Sequence, residues 1–404
     1  MIHWLPRSAW EPMPSGTLRQ WTRSVQRVRF HAESGNKGGT HFRCEELDAM
    51  SGKPVSSVHL FMLRKADPGL DAVRSTAKTC LFLIAALLLF PCPCVCANGE
   101  DLQKVSFLPM WSPQAQFAGY YVALEKGFYR KCGLDVDIIQ GGPDHIPAEM
   151  LKSGKVDFCL LWLSSAIQRR SEGLSLVNIA QIVRRSALML VARKSSEILK
   201  PEDMNGRKVS LWEGDLRLQP RAFFSKYKIN PEIITQSYTV NLFLAGGTDV
   251  ASAMWYNEYH TIINSGLDEE ELTTFFFDAH GLNFPEDGIY ALEETLQKNP
   301  HAAAAFVGAS VAGWQYAFLH PDEALDIVLK YMKQAKVPAN RVHQRWMLAR
   351  MKDLILSPDG QAAVGTLDRA EYETVASELQ TQGLIKTIPP FSEFYQAVNA
   401  HAQE

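Results

Sequence analysis

The chain has 404 residues, of which 46% are hydrophobic, and a formal net charge of −3. That is more than one typical domain and ample apolar material for a packed core. A charge balance so close to neutral excludes nucleic acid as an expected partner.

The amino terminus is read first, because its composition differs from the rest. Residues 1–78 are rich in Arg and Lys, while the remainder is mildly acidic. Residues 1–72 show no sustained periodicity and are rich in Gly, Ser, Pro and Arg, so this segment is expected to stand outside the fold. An over-extended reading frame explains it, with true initiation at Met62 or at the codon read as Val73; a genuine cytoplasmic extension is the alternative. The strongly apolar run, CLFLIAALLLF at 80–90, falls short of the roughly 20 residues that span a bilayer. Arg74 and Lys78 precede it and Val95-Cys96-Ala97 follows. A basic region, an apolar core and a V-x-A site predict a signal peptide over 73–97, cleaved after Ala97, and hence a periplasmic or secreted protein. An uncleaved membrane anchor, or a lipid anchor on Cys92, Cys94 or Cys96, are the other readings of the same residues. Cleavage leaves Cys132 and Cys159 from the seven cysteines, both expected as small buried hydrophobes. The mature chain has no C-x-x-C and no His-rich spacing, so neither a metal nor a cofactor is expected.

The folded part opens with VSFLPMWSPQAQFAGYYVALEKGFYRKCGLDVDIIQGG at 105–142. Residues 105–108 suit a buried strand, Pro109 and Pro113 break the chain, and Phe117, Tyr121 and Leu124 recur at helical spacing over 114–126. Gly127 closes that helix. LDVDII then reads as a second strand ended by Gly141-Gly142-Pro143. This is a βαβ unit, whose ligand site belongs at the carboxyl ends of its strands. A helix is expected at 146–152, a strand at 156–162, a helix at 166–171 and a strand in LVNIAQIV. The rhythm implies right-handed crossovers and a mostly parallel sheet with helices on both faces. SALMLVARKSS reads as a strand that leaves this sheet, and VSLW at 209–212 opens a second set. Within that set a helix is expected at 219–227, a strand in IITQSY, a helix at 240–244, a strand running into MWYNEY, a helix at 269–272 and a strand at 273–277. HGLNFPEDGIYAL, from His280, returns the chain to the first lobe. Helices follow from Leu292, one starting at Pro321-Asp322-Glu323, and all are expected to pack on that first lobe.

The phrases PQAQFAGYYVALEKGFY and GLDVDIIQGGPD resemble the first lobe of periplasmic solute-binding proteins related to the binders of thiamine pyrimidine precursors, a family that also includes a fungal pyrimidine synthase. The resemblance covers roughly residues 104–399. It implies an α/β type II periplasmic-binding-protein fold with two lobes and two hinge crossovers. The divisions it implies are lobe one at 98–187, lobe two at 188–286, and a return to lobe one with carboxyl-terminal helices at 287–404. The function it implies is the substrate-binding component of an ABC importer, taking a small heterocyclic solute in the inter-lobe cleft and meeting a membrane permease, as a monomer. The synthase is the other enzymatic expectation, yet the lysine and histidine it uses align with Leu161 and Ser165, and its cysteine-rich iron-binding motif has no counterpart. A sensory ligand-binding module is the third.

Candidate ligand contacts follow from residue type and place. Trp111 and Gln114 stand on the Pro-flanked loop, and Tyr120, Trp162 and Trp212 fall near predicted strand ends, where flat ligands stack on aromatic faces. Core packing is the competing explanation for such rings, above all for Tyr121 and Trp255. Gly141 and Gly142 would let backbone approach a ligand, although a turn alone also explains them. Ser164 and Glu213 start the loops after two strands, where helix N-termini present free N–H groups. Asn257 and Glu258 lie in the phrase Y-N-E that resembles the family's second lobe. A Glu258 carboxylate in an apolar cleft needs a donor, supplied by an aminopyrimidine or by an arginine such as Arg184. Asp278 and Asp287 are expected to serve the hinge.

Overall fold

The structure is a computed structural model and describes residues 29–35, 39–47, 54–57, 102–357 and 363–398. It divides into two compact units at residues 99/100. In the first unit, Arg29–Gly35 (β1), Gly39–Leu47 (β2) and Pro54–Ser57 (β3) pair antiparallel in the order β1-β2-β3. No element was expected there; Phe42 and Cys44 alternating with Arg43 and Glu45 supply the period of two that a strand requires. The apolar run at 80–90, the cleavage site at Ala97 and Cys92, Cys94 and Cys96 lie outside the described residues.

The second unit holds two five-stranded sheets. Apolar runs of five or six residues supply Gln103–Leu108 (β4), Leu134–Ile138 (β5), Phe158–Trp162 (β6), Leu176–Gln181 (β7) and, late in the chain, Asp287–Leu292 (β13). Their order is β5-β4-β6-β13-β7, with β4 parallel to β5 and β6, and β13 antiparallel to β6 and β7. The other sheet consists of Leu188–Arg193 (β8), Lys208–Leu211 (β9), Glu232–Thr235 (β10), Val250–Met254 (β11) and Leu272–Phe276 (β12). Its order is β10-β9-β11-β8-β12, and β8 alone runs against its neighbours. Each sheet is thus parallel except for the strand that has just crossed from the other sheet. β13 inserts between β6 and β7, which successive βα units would have left adjacent.

The two crossovers run side by side and are bonded to each other. Ile182 N and Val183 N donate to Asp287 O (3.2 and 3.0 Å), and Glu286 N donates to Val183 O at 3.1 Å. The Glu286 carboxylate takes Ala187 N at 2.6 Å, and Asn283 Oδ1 takes Ser186 N at 2.9 Å. This is a hinge of two paired segments.

Helices cover the sheets. The helix expected at 114–126 is a 3-10 turn, Ala115–Phe117, leading into Ala118–Glu125 (α1), because Gln114 is extended and the chain enters the helix late. Leu163–Ser171 (α2) and Leu218–Tyr227 (α3) follow β6 and β9. The helix expected at 269–272 is only a 3-10 turn, Glu269–Glu271; the helix of this region is Glu258–Asn264 (α4), directly after β11. Beyond β13 come Pro300–Leu319 (α5), Pro321–Gln334 (α6), Arg341–Ile355 (α7) and Arg369–Thr381 (α8). Pro321 occupies the first turn of α6 with Asp322 and Glu323 beside it, as the helix dipole favours. α5 and α6 pack on α1, as expected. α7 departs from the expectation, because it also reaches the second lobe: Trp346 Nε1 donates to Trp255 O at 3.0 Å. Cys159 is buried within β6, but Cys132 is exposed beside Gly133, correcting the expectation of burial.

Candidate functional site

The carboxyl ends of β4, β6, β9 and β11 meet where the two sheets face each other across the hinge, so the loops that follow them form the candidate site. From the first lobe, Gln114 Nε2 donates to Gln116 Oε1 at 2.6 Å, and Gln116 Nε2 donates to Asp287 Oδ2 at 2.8 Å. Asp287 pairs in register with Trp162 at the end of β6, and Trp162 and Ser164 are both buried there. From the second lobe, Glu258 opens α4 and turns back onto β11, where its Oε2 accepts Met254 N at 3.0 Å. Asn257 Nδ2 holds its other oxygen at 2.7 Å.

Three carboxyls therefore gather at the floor: Glu258, Glu286 and Asp287. Burial is the main cause that raises each, Glu258 to about 7, Glu286 to about 8 and Asp287 to about 7. Asp287 lifts Glu286 further, whereas Gln116 and Trp162 oppose the rise at Asp287. The Trp162 indole is close enough to act on Asp287, yet neither Trp162 Nε1 nor Asp287 Oδ1 completes a hydrogen bond. Tyr256 is buried among all three, and after burial itself their charges raise its hydroxyl well above the usual phenol range. Among the described residues no lysine or arginine forms an ion pair with any of the three. Arg184, named as an alternative partner for Glu258, acts on Glu371 instead.

A cavity of about 260 Å³ lies between Ser164 and Gln168 on one side and Glu213, Asp215, Arg217 and Arg221 on the other, with Leu379 and Leu384 completing its wall; none of the three carboxyls lines it. Glu213 is exposed and already occupied, taking Arg217 at 2.5 Å and Thr235 Oγ1 at 2.7 Å. The lobes touch at two places: the Ser165 hydroxyl donates to Asp215 at the cavity, and the Trp111 ring lies 5.5 Å from that of Tyr238.

The structure thus links Gln114, Trp162, Asn257 and Glu258 to the carboxyl floor, sets Ser164 and Glu213 in the wall of the cavity, and brings Trp111 onto Tyr238 of the second lobe. Other expected contacts are committed elsewhere. The Tyr120 ring packs between Phe107 (4.7 Å) and Trp314 (5.9 Å), while its buried hydroxyl, which completes no hydrogen bond, is near enough to Asp287 for that charge to raise it beyond the effect of burial. A Cβ on Gly141 would sit 2.3 Å from Pro109 O and 2.5 Å from Trp111 O. Its bare backbone lets two loops pack against each other, the structural explanation that the sequence reading also offered. Gly142 has φ 155° and belongs to the same turn. The Trp212 indole N–H is given to Ser237 O at 3.0 Å, so this residue ties two loops together. Residues the sequence reading passed over are Gln116, Tyr238, Glu286 and Asp287 as a floor contact. The PEDG phrase carried the signal for the last two, since acids inside an apolar strand are buried with it. Among the described residues no group of His, Cys, Asp or Glu is arranged to hold a metal ion.

Comparison with known proteins gives the family and the fold. The family described as NMT1/THI5 like matches residues 114–324, more than half of the chain. The formylaminopyrimidine-binding protein of Halalkalibacterium halodurans is 25% identical over 313 residues, covering 75% of this chain and 92% of that protein. A 4-amino-5-hydroxymethyl-2-methylpyrimidine phosphate synthase of Saccharomyces cerevisiae is 23% identical over 133 residues, 33% of this chain and 39% of the synthase. In three dimensions the chain is similar to the periplasmic aliphatic sulphonate binding protein of Escherichia coli, with a TM-score of 0.57 at 12% identity, covering 75% of this chain and 95% of that one. That likeness is one of fold.

Proposed function

The chain belongs to the NMT1/THI5-like family, and on that premise we propose that it is the solute-binding component of an ABC importer that closes its lobes around an aminopyrimidine. The observation that carries the reading is the floor of three carboxyls with no lysine or arginine ion-paired to them. Such a floor is costly unless a ligand brings donors of its own. An exocyclic amino group beside a ring nitrogen offers a donor and an acceptor together, and Glu258, raised to about 7, can take both roles near neutral pH. The formylaminopyrimidine named for the relative from Halalkalibacterium halodurans supplies the first candidate. The mechanism is population shift: a solute that touches both lobes stabilises the closed state by its differential affinity. In this reading the protein works in the periplasm and hands its solute to a membrane permease.

Binding is favoured over catalysis by what stands where the fungal synthase carries its lysine and histidine. Leu161 is buried within β6, and the Ser165 hydroxyl is engaged by Asp215. Neither supplies an amine or an imidazole.

Native mass spectrometry of the protein purified from its own host, paired with calorimetry against formylaminopyrimidine, tests the proposal. A bound mass of an aminopyrimidine, or saturable binding in the calorimeter, supports it. A co-purified solute of another chemical class keeps the binding role and removes the pyrimidine. An empty protein that takes up no formylaminopyrimidine overturns the ligand class.

A further inference from the structure

The candidate ligand residues of the second lobe are held from outside that lobe. With Glu258 ionised, Asn257 Nδ2 donates to its carboxylate, which leaves Oδ1 facing His343 Nε2 at 2.9 Å. A carbonyl oxygen only accepts, so His343 Nε2 carries the proton. In a neutral ring His343 Nδ1 is then an acceptor, and it lies 2.8 Å from His260 Nδ1, which must donate. Asn264 Nδ2 lies 2.9 Å from the same His260 Nδ1, so a protonated Nδ1 requires that amide to be turned, presenting its oxygen to the ring. Trp346 stacks on His260 at 4.8 Å. Burial holds both imidazoles below their ordinary value, and His260 lowers His343 further.

His343 comes from α7, whose start is fixed by Asn340: its side chain accepts Val342 N at 2.9 Å and His343 N at 3.2 Å. The next residue, Gln344, accepts Ala115 N at 2.7 Å, immediately after Gln114 in the first lobe. Neighbouring residues on one helix therefore grip the site loops of both lobes.

We propose that His343 is a positioning residue for the ligand site, orienting Asn257 and, through it, the carboxylate of Glu258 toward the solute. The proposal rests on the reading of Glu258 as a ligand contact. It also makes binding sensitive to acid. One proton can be shared between the two rings, but a second turns both facing nitrogens into donors and breaks the row. The charged groups around the pair are Glu258, reached through Asn257; Arg350, which lies over the Trp346 ring at 4.7 Å; and the Arg345–Asp322 pair (2.5 Å) at the surface. Burial and the opposing ring account for the lowering, with no carboxylate among its causes.

Carbon-13 titration of the Glu258 carboxyl tests the relay without any ligand. His343→Ala should raise its midpoint, about 7 in the native chain, by about one pH unit, the size of a weakened hydrogen bond to a charged group. His343→Gln, whose amide can donate to Asn257 but does not titrate, should restore it. Nitrogen-15 spectra of the native protein at neutral pH should show protonated Nε2 on His343 and protonated Nδ1 on His260, and the reverse pattern overturns the relay even if the alanine variant does not fold. Calorimetry with formylaminopyrimidine completes the test: affinity falls on the acid side of the ordinary histidine range in the native protein, and this acid loss disappears in His343→Gln. If Glu258→Gln leaves affinity unchanged, the underlying site reading fails whatever His343 does. If Glu258→Gln weakens binding while His343→Ala moves neither the midpoint nor the affinity, the relay alone fails.

Discussion

Glu258 concentrates the chemistry at the residue scale. It is half-buried, bonded to Met254 N and Asn257, and raised by burial. Replacing it by glutamine keeps the shape but removes the charge and one acceptor, so affinity for the solute should fall by about 1–3 kcal/mol. Calorimetry on Glu258→Gln checks this, and an unchanged dissociation constant removes Glu258 from the site. Glu258 was legible because it ends an apolar strand phrase, and Trp111 because prolines strand it on a loop. Tyr120 shows why residue type alone does not separate cleft from core: its ring is packed by Phe107 and Trp314 while its hydroxyl still feels Asp287. His343 had no legible signal at all, since its partner Asn257 lies 86 residues away in sequence.

At the scale of elements, the crossing of α1 and α5 fixes how the first lobe is built. A Cβ on Gly313 would lie 2.1 Å from Gly119 O, and one on Gly119 would lie 2.3 Å from the Trp314 ring. The helices approach this closely only because both positions lack side chains. Gly119→Ala and Gly313→Ala should each destabilise the fold by about 1–3 kcal/mol, Gly313→Ala more, because backbone yields less than a ring. Urea unfolding measures the effect, and a variant as stable as the native chain would show that the crossing relaxes freely. α5 is also the one helix among the described residues long and apolar enough to cross a membrane, but half of that stretch is buried inside the fold. Strands were readable to within a few residues because continuous apolar runs bounded by Gly and Pro have few other fates. α4 was not, because EYHTIIN is seven residues long and only the turn 255–257 separates it from β11.

For the whole molecule, the two-lobed plan was legible from the βα rhythm and the family resemblance, whereas the closure contacts were not. Ser165 meets Asp215 and Trp111 meets Tyr238 only once both sheets exist. The hinge between them carries a stability consequence that belongs to the molecule as a unit. Glu286 bonds Ala187 N and Ser186 Oγ, joining the two crossovers, while Asp287 begins the returning strand. With Glu258, these groups are raised to about 7 or 8, far above their unfolded values near 4. A carboxyl raised by folding binds more protons in the native state, so stability falls as pH rises through the folded value. The histidines His260, His280 and His343 are lowered and act in the opposite sense, but only below about pH 7. The lowered surface carboxyls, such as Asp322 and Glu323, have finished titrating well below that. Between about pH 7 and pH 8 the buried acids therefore dominate, and the ligand-free protein should lose about 1–2 kcal/mol. Thermal unfolding across that interval reads the loss. Glu286→Gln should flatten the slope, because Glu286 alone is raised to about 8 and stays protonated longest. A bound solute that donates to the floor should flatten it as well, since its binding energy grows as the carboxyls ionise. A native slope that survives both the substitution and a saturating solute would mean that the floor is already satisfied within the protein, and that the solute is held elsewhere.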